Sequence, residues 1–134
     1  MEERIAKQVI VMRKDLNMRK GKMIAQGAHA SVATVLSTIV YKEGREFKSK
    51  IKVAENSPMY AWLKWRFTKI CVSVDSEEAL LAICDAAKEA GLIAELITDA
   101  GLTEFDGVPT HTCCAVGPGW ADEVDKITGH LPLL

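Results

Sequence analysis

No hydrophobic stretch of this chain is long, because Lys, Arg, Asp, Glu or Pro interrupts each one well short of the roughly 18 to 20 residues a membrane span needs. That excludes a membrane-spanning helix. The start, MEERIAKQVIVMRKD, lacks the pattern of a secretory signal: it carries Glu2 and Glu3 and only a short apolar run before Arg13. The expected compartment is the cytoplasm. Cysteines are few, and Cys71, Cys84, Cys113 and Cys114 form no C-x-x-C pair of the kind that holds zinc or performs thioredoxin-like exchange. Three of them lie in apolar, strand-like runs, where a free cysteine behaves as a small buried hydrophobe. His29, His111 and His130 are scattered and make no H-E-x-x-H or similar ligand spacing, so no metal site is expected.

What is present is a core. With 134 residues, 49% of them apolar, the chain can bury about 68% of the surface its unfolded form exposes, enough for one domain without disulfides. Its net charge of -1 conceals a division. Residues 1 to 70 hold 15 Lys and Arg against 6 Asp and Glu, and residues 71 to 134 hold 2 against 12. Such a split points to a polyanion on the basic part; alternatively, the two halves neutralise each other in the fold.

Hydrophobic periodicity sets the expected elements. Gln8 to Met12 is a β-branched run of the kind found in strands covered on both faces. From Lys22, the residues Met23, Ile24, Ala28, Val32, Val35, Leu36 and Ile39 recur at helical spacing, predicting an amphipathic helix ending near Tyr41. Gly27 lowers the propensity of that helix, which suggests a packing reason for it. Residues 42 to 57 read as a mobile, mostly basic connector, followed by a short helix in SPMYAWLKWRF. KICVSV is a second buried strand; Asp75 and Glu78 suggest a capping box before SEEALLAICDAAKEA, which Gly91 closes. Ile93 to Ile97 and Thr112 to Val116 read as strands, the second broken by Gly117, Pro118 and Gly119, and ADEVDKIT as a last helix stopped by Gly129. The expected architecture is α/β: one domain over residues 1 to 134, with a small four-stranded mixed sheet, helices on both faces, and the order β-α-β-α-β-β-α.

Chemistry in such a sheet gathers in the loops beyond the strand ends. RKDLNMRKG, between the first strand and the first helix, contains Arg13, Lys14, Arg19 and Lys20, with Lys22 just beyond. Cations at a helix N-terminus oppose its positive partial charge unless an anion sits there, so the loop is either a phosphate or carboxylate pocket or a solvated basic turn. Lys22, Gln26 and His29 share one helix stripe, where the two polar side chains need partners, for instance the backbone of a neighbouring loop. In DAGLTEFDGVPTHT, Asp99 can cap a turn that Gly101 permits. Alternatively Asp99, Thr103 and Thr112 face Lys22 across the mouth of the sheet, where a carboxylate, a cation and hydroxyls could hold a water and stabilise an oxyanion. Trp62 and Trp65, interleaved with Lys64 and Arg66, either stack on nucleotides or dock on the core.

QVIVMRKDLNMRKGKMIAQGAHAS, KICVSVDSEEALL, KEAGL and ITDAGLTEFDGVPTHTCCAVGPGWADEVDKITGHLPLL, taken in order, resemble the class II, archaeal and eukaryotic type, peptidyl-tRNA hydrolase family. The resemblance covers nearly the whole chain except a variable connector at about 42 to 68. It implies hydrolysis of the ester joining a peptide to the 3′ ribose of tRNA, without metal or organic cofactor, by a homodimer whose partner is peptidyl-tRNA. By position it implies catalytic roles for Lys22, Asp99, Thr103 and Thr112, with Lys22 on the terminal phosphate or the oxyanion and the other three orienting water. Substrate binding falls to Gln26 and His29 of A-Q-x-x-H and to Thr110, beside the basic Arg19 and Lys20. Gly27, Leu102 and Glu104 depart from the family's usual Cys or aliphatic residue, Arg and Gln, and one extra residue precedes Pro109. Those departures keep two other readings open: a non-catalytic tRNA- or protein-binding module, or a hydrolase of another acyl ester or amide.

Overall fold

The structure is a computed structural model describing residues 4–49 and 52–134. Glu2 and Glu3 at the start, and Lys50 and Ile51 of the connector, lie outside the described residues. Strand β1 (Ala6–Arg13) occupies the middle of a four-stranded sheet, parallel to β4 (Lys69–Val74) on one side and antiparallel to β6 (Thr110–Trp120) on the other; β5 (Ala94–Asp99) pairs with the outer edge of β6. Strand residues alternate between faces, so β1 divides its side chains. Val9 and Val11 pack with Val72, Val74, Cys114 and Val116 against helix α3 (Glu77–Glu89) and helix α4 (Ala121–Thr128). Ile10 and Met12 pack with Cys113 and Ala115 under helix α1 (Lys20–Ile39). Each such buried aliphatic contributes about 1.5–3 kcal/mol relative to exposure.

Helix α2 (Pro58–Lys64) lies on the same face as α1, anchored by Met59 and Trp62 against Ala6 and Val35. Near there Gln8, fully buried, donates from Nε2 to Thr34 Oγ1 (2.7 Å) and the Ser31 carbonyl (3.2 Å) and accepts from Ser31 Oγ (2.6 Å). This satisfied polar knot ties β1 to α1 in one register.

Four expectations need correction. The connector expected to be mobile begins with an antiparallel hairpin, β2 (Val40–Glu43) and β3 (Glu46–Ser49), and α1 stops at Ile39 to make way for it. Gly44, with φ of +61°, supplies the turn; the strands are so short and so exposed that no alternation of burial marked them. Helix α3 is capped by Ser76, whose Oγ accepts from the Ala79 amide (3.0 Å), and not by Asp75. Gly117 to Gly119 do not end the last strand. The pairing register shifts between Lys7 and Val9, and Gly117, with φ of +93°, lets β6 bend there and continue to Trp120; an added Cβ would lie 2.6 Å from the Lys7 carbonyl oxygen. Finally, Cys71 is exposed whereas the other three cysteines are buried, because it lines an open hollow beside α1 with Gly27, Ala28 and Leu134, while β4 is an edge strand. That edge is covered by the chain end, where Ser73 donates to the Pro132 carbonyl and Leu134 to the Cys71 carbonyl.

Candidate active site

Asp99 is the last residue of β5, at the carboxyl end of the strand, and Lys22 lies in the first turn of α1. The loop that carries β1 into α1 is held down by buried Met18 and by Arg13, which pairs with Asp15 (2.7 Å) and donates to the His111 carbonyl (3.0 Å). Arg13 is thereby committed to structure. The bracing sets the first turn of α1 beside the end of β5.

There Lys22 Nζ donates to Asp99 Oδ1 (2.8 Å) and to Thr103 Oγ1 (2.8 Å). Gln26, one turn along the helix and buried, donates from Nε2 to the same Asp99 oxygen (3.2 Å). Asp99 Oδ2 accepts from the Gly101 amide (2.9 Å), an Asx turn, so the capped turn and the charged cluster exist together. Gly101 has φ of +82°, and an added Cβ would meet the Val108 nitrogen and oxygen at 2.6 Å; only glycine fits. The hydrogen bond from Lys22, above all, holds the Asp99 carboxyl below the usual carboxylate range against the opposing effect of burial, with Gly101 and Gln26 assisting. Side-chain exposure is 13% for Lys22 and 14% for Asp99, so the pair is shielded yet reachable.

Thr112 is fully buried, and its hydroxyl donates to Gln26 Oε1 (2.6 Å). Its neighbour Cys113 donates from Sγ to the Gln26 carbonyl (3.3 Å). Successive strand residues ordinarily point to opposite faces, but the β5–β6 register shifts between Ile97 and Thr98, and this irregularity brings both residues to Gln26. The ring of Phe105 lies with its centroid 5.8 Å from Lys22 Nζ. Nothing in the sequence singled out Phe105, since it sits in an irregular loop with φ of +68°.

The remaining predicted residues lie apart from this chain of hydrogen bonds. His29 is exposed and, among the described residues, makes none of the hydrogen bonds to a neighbouring loop foreseen for it. Thr110, paired with Asp99 in the ladder, donates to the Val108 carbonyl (2.8 Å). Arg19 is solvent-facing, 3.9 Å from Glu104, and precedes a helix start with no side-chain cap and no acid in its first turn; Lys20 is exposed beside it. Leu102 is 90% exposed. Among the described residues no group of three or more His, Cys, Asp or Glu is placed to hold a metal ion, and no helix is long and apolar enough to cross a membrane.

A cation, a carboxylate and a hydroxyl joined at one largely shielded point can stabilise a developing oxyanion and orient water. Comparison with known proteins agrees with that chemistry. The peptidyl-tRNA hydrolase of Metallosphaera sedula is 40% identical over 128 residues, covering 96% of this chain and 99% of its own. That of Methanopyrus kandleri is 39% identical, covering 96% and 97%. Human mitochondrial peptidyl-tRNA hydrolase 2 is 37% identical over 127 residues, 95% of this chain and 63% of its own length. An Agrobacterium protein of unknown function shares the fold with a TM-score of 0.56 at 14% identity, over 96% of this chain and 97% of that one. The family described as Peptidyl-tRNA hydrolase PTH2 matches residues 6–134, and the chain belongs to that family.

Proposed function

We propose that this chain hydrolyses the ester between a peptide, or an N-blocked amino acid, and the 3′ ribose of tRNA, releasing free tRNA, with Lys22 and Asp99 as the working pair. The observation that carries this is the single cluster in which Lys22 reaches both Asp99 and Thr103. An ammonium group has three protons, and Lys22 spends two on these partners. The third is available to the ester carbonyl oxygen as charge develops there, or to the terminal phosphate. Water adds to the carbonyl carbon, the bond to the ribose oxygen breaks, and a carboxylic acid and a 3′ hydroxyl result. Because Asp99 is held ionised by its donors, it is a weak base, and its role is to orient Lys22 and the attacking water. Thr103 accepts from Lys22 and keeps its own proton to position that water. Thr112, buried and donating to Gln26, is a positioning residue. The altered residues Leu102 and Glu104 flank Thr103 yet leave its hydrogen bond with Lys22 in place, which favours an enzyme over a binding module.

Arg19 and Lys20, at the uncapped start of α1, suit phosphates of the tRNA end. Family resemblance further supports a homodimer, which sedimentation of the purified protein reads; action in the cytoplasm is read by cell fractionation.

Single-turnover hydrolysis of N-blocked aminoacyl-tRNA tests the proposal. Lys22→Ala and Asp99→Asn should each slow it by roughly 100-fold or more, and their combined loss should be less than additive. Thermal unfolding measured alongside separates a catalytic defect from a lost turn. A folded Asp99→Asn variant with full turnover would remove Asp99 from the mechanism, and a native chain that binds tRNA without hydrolysing the ester would overturn the activity.

A further inference from the structure

At the far end of the sheet from Lys22 and Asp99 lies a cavity of about 490 Å³, framed by the start of β1, the end of β6 and helix α2. Arg4, Tyr60, Lys64, Trp65, Arg66 and Trp120 line it, with Glu55 as its one acid. The connector's two tryptophans have separated there. Trp62 is buried, donates from Nε1 to the Thr68 carbonyl (2.7 Å) and packs on Phe67 with ring centroids 4.3 Å apart. Trp65, three residues on, is 58% exposed. An indole left in water forgoes the burial that would stabilise the fold, and here it stands among cations. The Arg4 guanidinium lies 4.5 Å from the ring centre of Trp120 and pairs with Asp122, whereas Lys64, 5.5 Å from the ring centre of Tyr60, and Arg66 form no ion pair among the described residues.

We propose that this cavity is a second RNA-binding site, in which Trp65 stacks on an unpaired base of the tRNA body while Lys64 and Arg66 take the adjoining phosphates. An exposed aromatic face interleaved with unpaired cations matches a base joined to its phosphates: the ring supplies stacking that tolerates any base, and the cations supply charge complementarity. Its position fits the same ligand. Trp120 and Thr112 are eight residues apart on β6, at most roughly 25 Å at the rise of a strand that bends at Gly117, so the cavity would take a nucleotide other than the 3′-terminal one at Lys22. Helices α1 and α2, both from the basic half of the chain, cover the same face of the sheet. The inference rests on the tRNA reading of the catalytic site.

Two substrates separate the sites: N-blocked aminoacyl-tRNA, and an N-blocked aminoacyl trinucleotide carrying only the 3′ end. Trp65→Ala should raise KM for the full tRNA roughly tenfold, the size of one base–aromatic stack, while leaving kcat and the kinetics of the trinucleotide unchanged. Trp65→Phe should restore most of the affinity. Lys64→Gln with Arg66→Gln should reduce the dependence of log affinity on log salt by about 0.7 for each phosphate no longer neutralised. A folded Trp65→Ala variant with native KM, or one impaired equally on both substrates, would overturn the proposal, as would a change of oligomeric state without loss of RNA affinity. Binding of deacylated tRNA keeps this inference distinct from the activity. Tenfold weaker binding by Trp65→Ala in a chain that hydrolyses neither substrate would retain the cavity as an RNA site and overturn the esterase reading alone.

Discussion

Asp99 accepts from Lys22 and Gln26 on one oxygen and from Gly101 on the other, and three donors explain why its charge persists. The sign of the consequence follows from linkage. A carboxyl whose pKa is lowered in the folded state contributes stability above its unfolded pKa and loses it as pH falls through the folded value, here below about pH 4. Single-turnover rates should therefore show no Asp99 ionisation between pH 5 and 7; an inflection near pH 6 that disappears in Asp99→Asn would make Asp99 a proton-abstracting base instead. Thr112 has a different signature. Replacing it with Val strands the buried Gln26 Oε1, which costs about 1–3 kcal/mol and frees the amide to turn from Asp99. We expect Thr112→Val to lower kcat with little change in KM, and Thr112→Ser, which keeps the donor, to restore it. A nucleophilic threonine would require the hydroxyl to meet substrate, and this one is fully buried.

Among the elements, α1 carries the most residues of the candidate site and starts with the least local support: Arg19 at its N-cap makes no side-chain cap and its first turn holds no acid. Its hold on the fold comes from packing and from the Gln8 knot. Gly27 shows how far local propensity was set aside. It is buried over β1, yet an added Cβ would lie 3.7 Å from Ile10 Cγ2 and Met12 Cε, ordinary van der Waals distances, so close approach does not explain the glycine. Nothing else in the structure explains it. Gly27→Ala should consequently stabilise the protein by about 1 kcal/mol, read as a higher denaturation midpoint in urea; a lower midpoint would show that the helix must shift to accept the methyl group. Helices α2 and α3 are more conventionally begun, with Ser57 and Ser76 each accepting an amide of the first turn.

Across the whole molecule, the sheet turns the division of charge along the chain into a division in space. Helices α1 and α2, from the basic half, cover one face, and α3 and α4, from the acidic half, cover the other. Neutralisation between halves is also present, since four of the six ion pairs made by Lys and Arg among the described residues, Arg4–Asp122, Lys7–Asp125, Arg19–Glu104 and Lys22–Asp99, join one half to the other. A polyanion should therefore bind on the α1 side with marked salt dependence. Neutralising Arg19 and Lys20 together should flatten that dependence by roughly 0.7 to 0.9 log units for each phosphate left without its cation. Because Glu104 already stands near Arg19, Lys20→Gln should have the larger effect of the two single changes. Unaltered binding across several salt concentrations would place the RNA elsewhere.

The sequence alone determined the α/β class, the strands β1 and β4, helix α3 with its closing Gly91, and the residue types at Lys22, Asp99 and Thr103, because periodicity, turn chemistry and motif spacing are properties of neighbouring residues. Only the tertiary structure decided that Gln26 joins Asp99 to Thr112, since that junction depends on a register irregularity between β5 and β6 that neither strand encodes by itself. The fates of Trp62 and Trp65 were settled in the same way. Both are apolar, and both sit three residues apart in one segment, but only Trp62 finds the space between Ala6 and Val35. Periodicity states which side chains need cover; which of them receive it depends on partners far along the chain, which only the tertiary structure brings together.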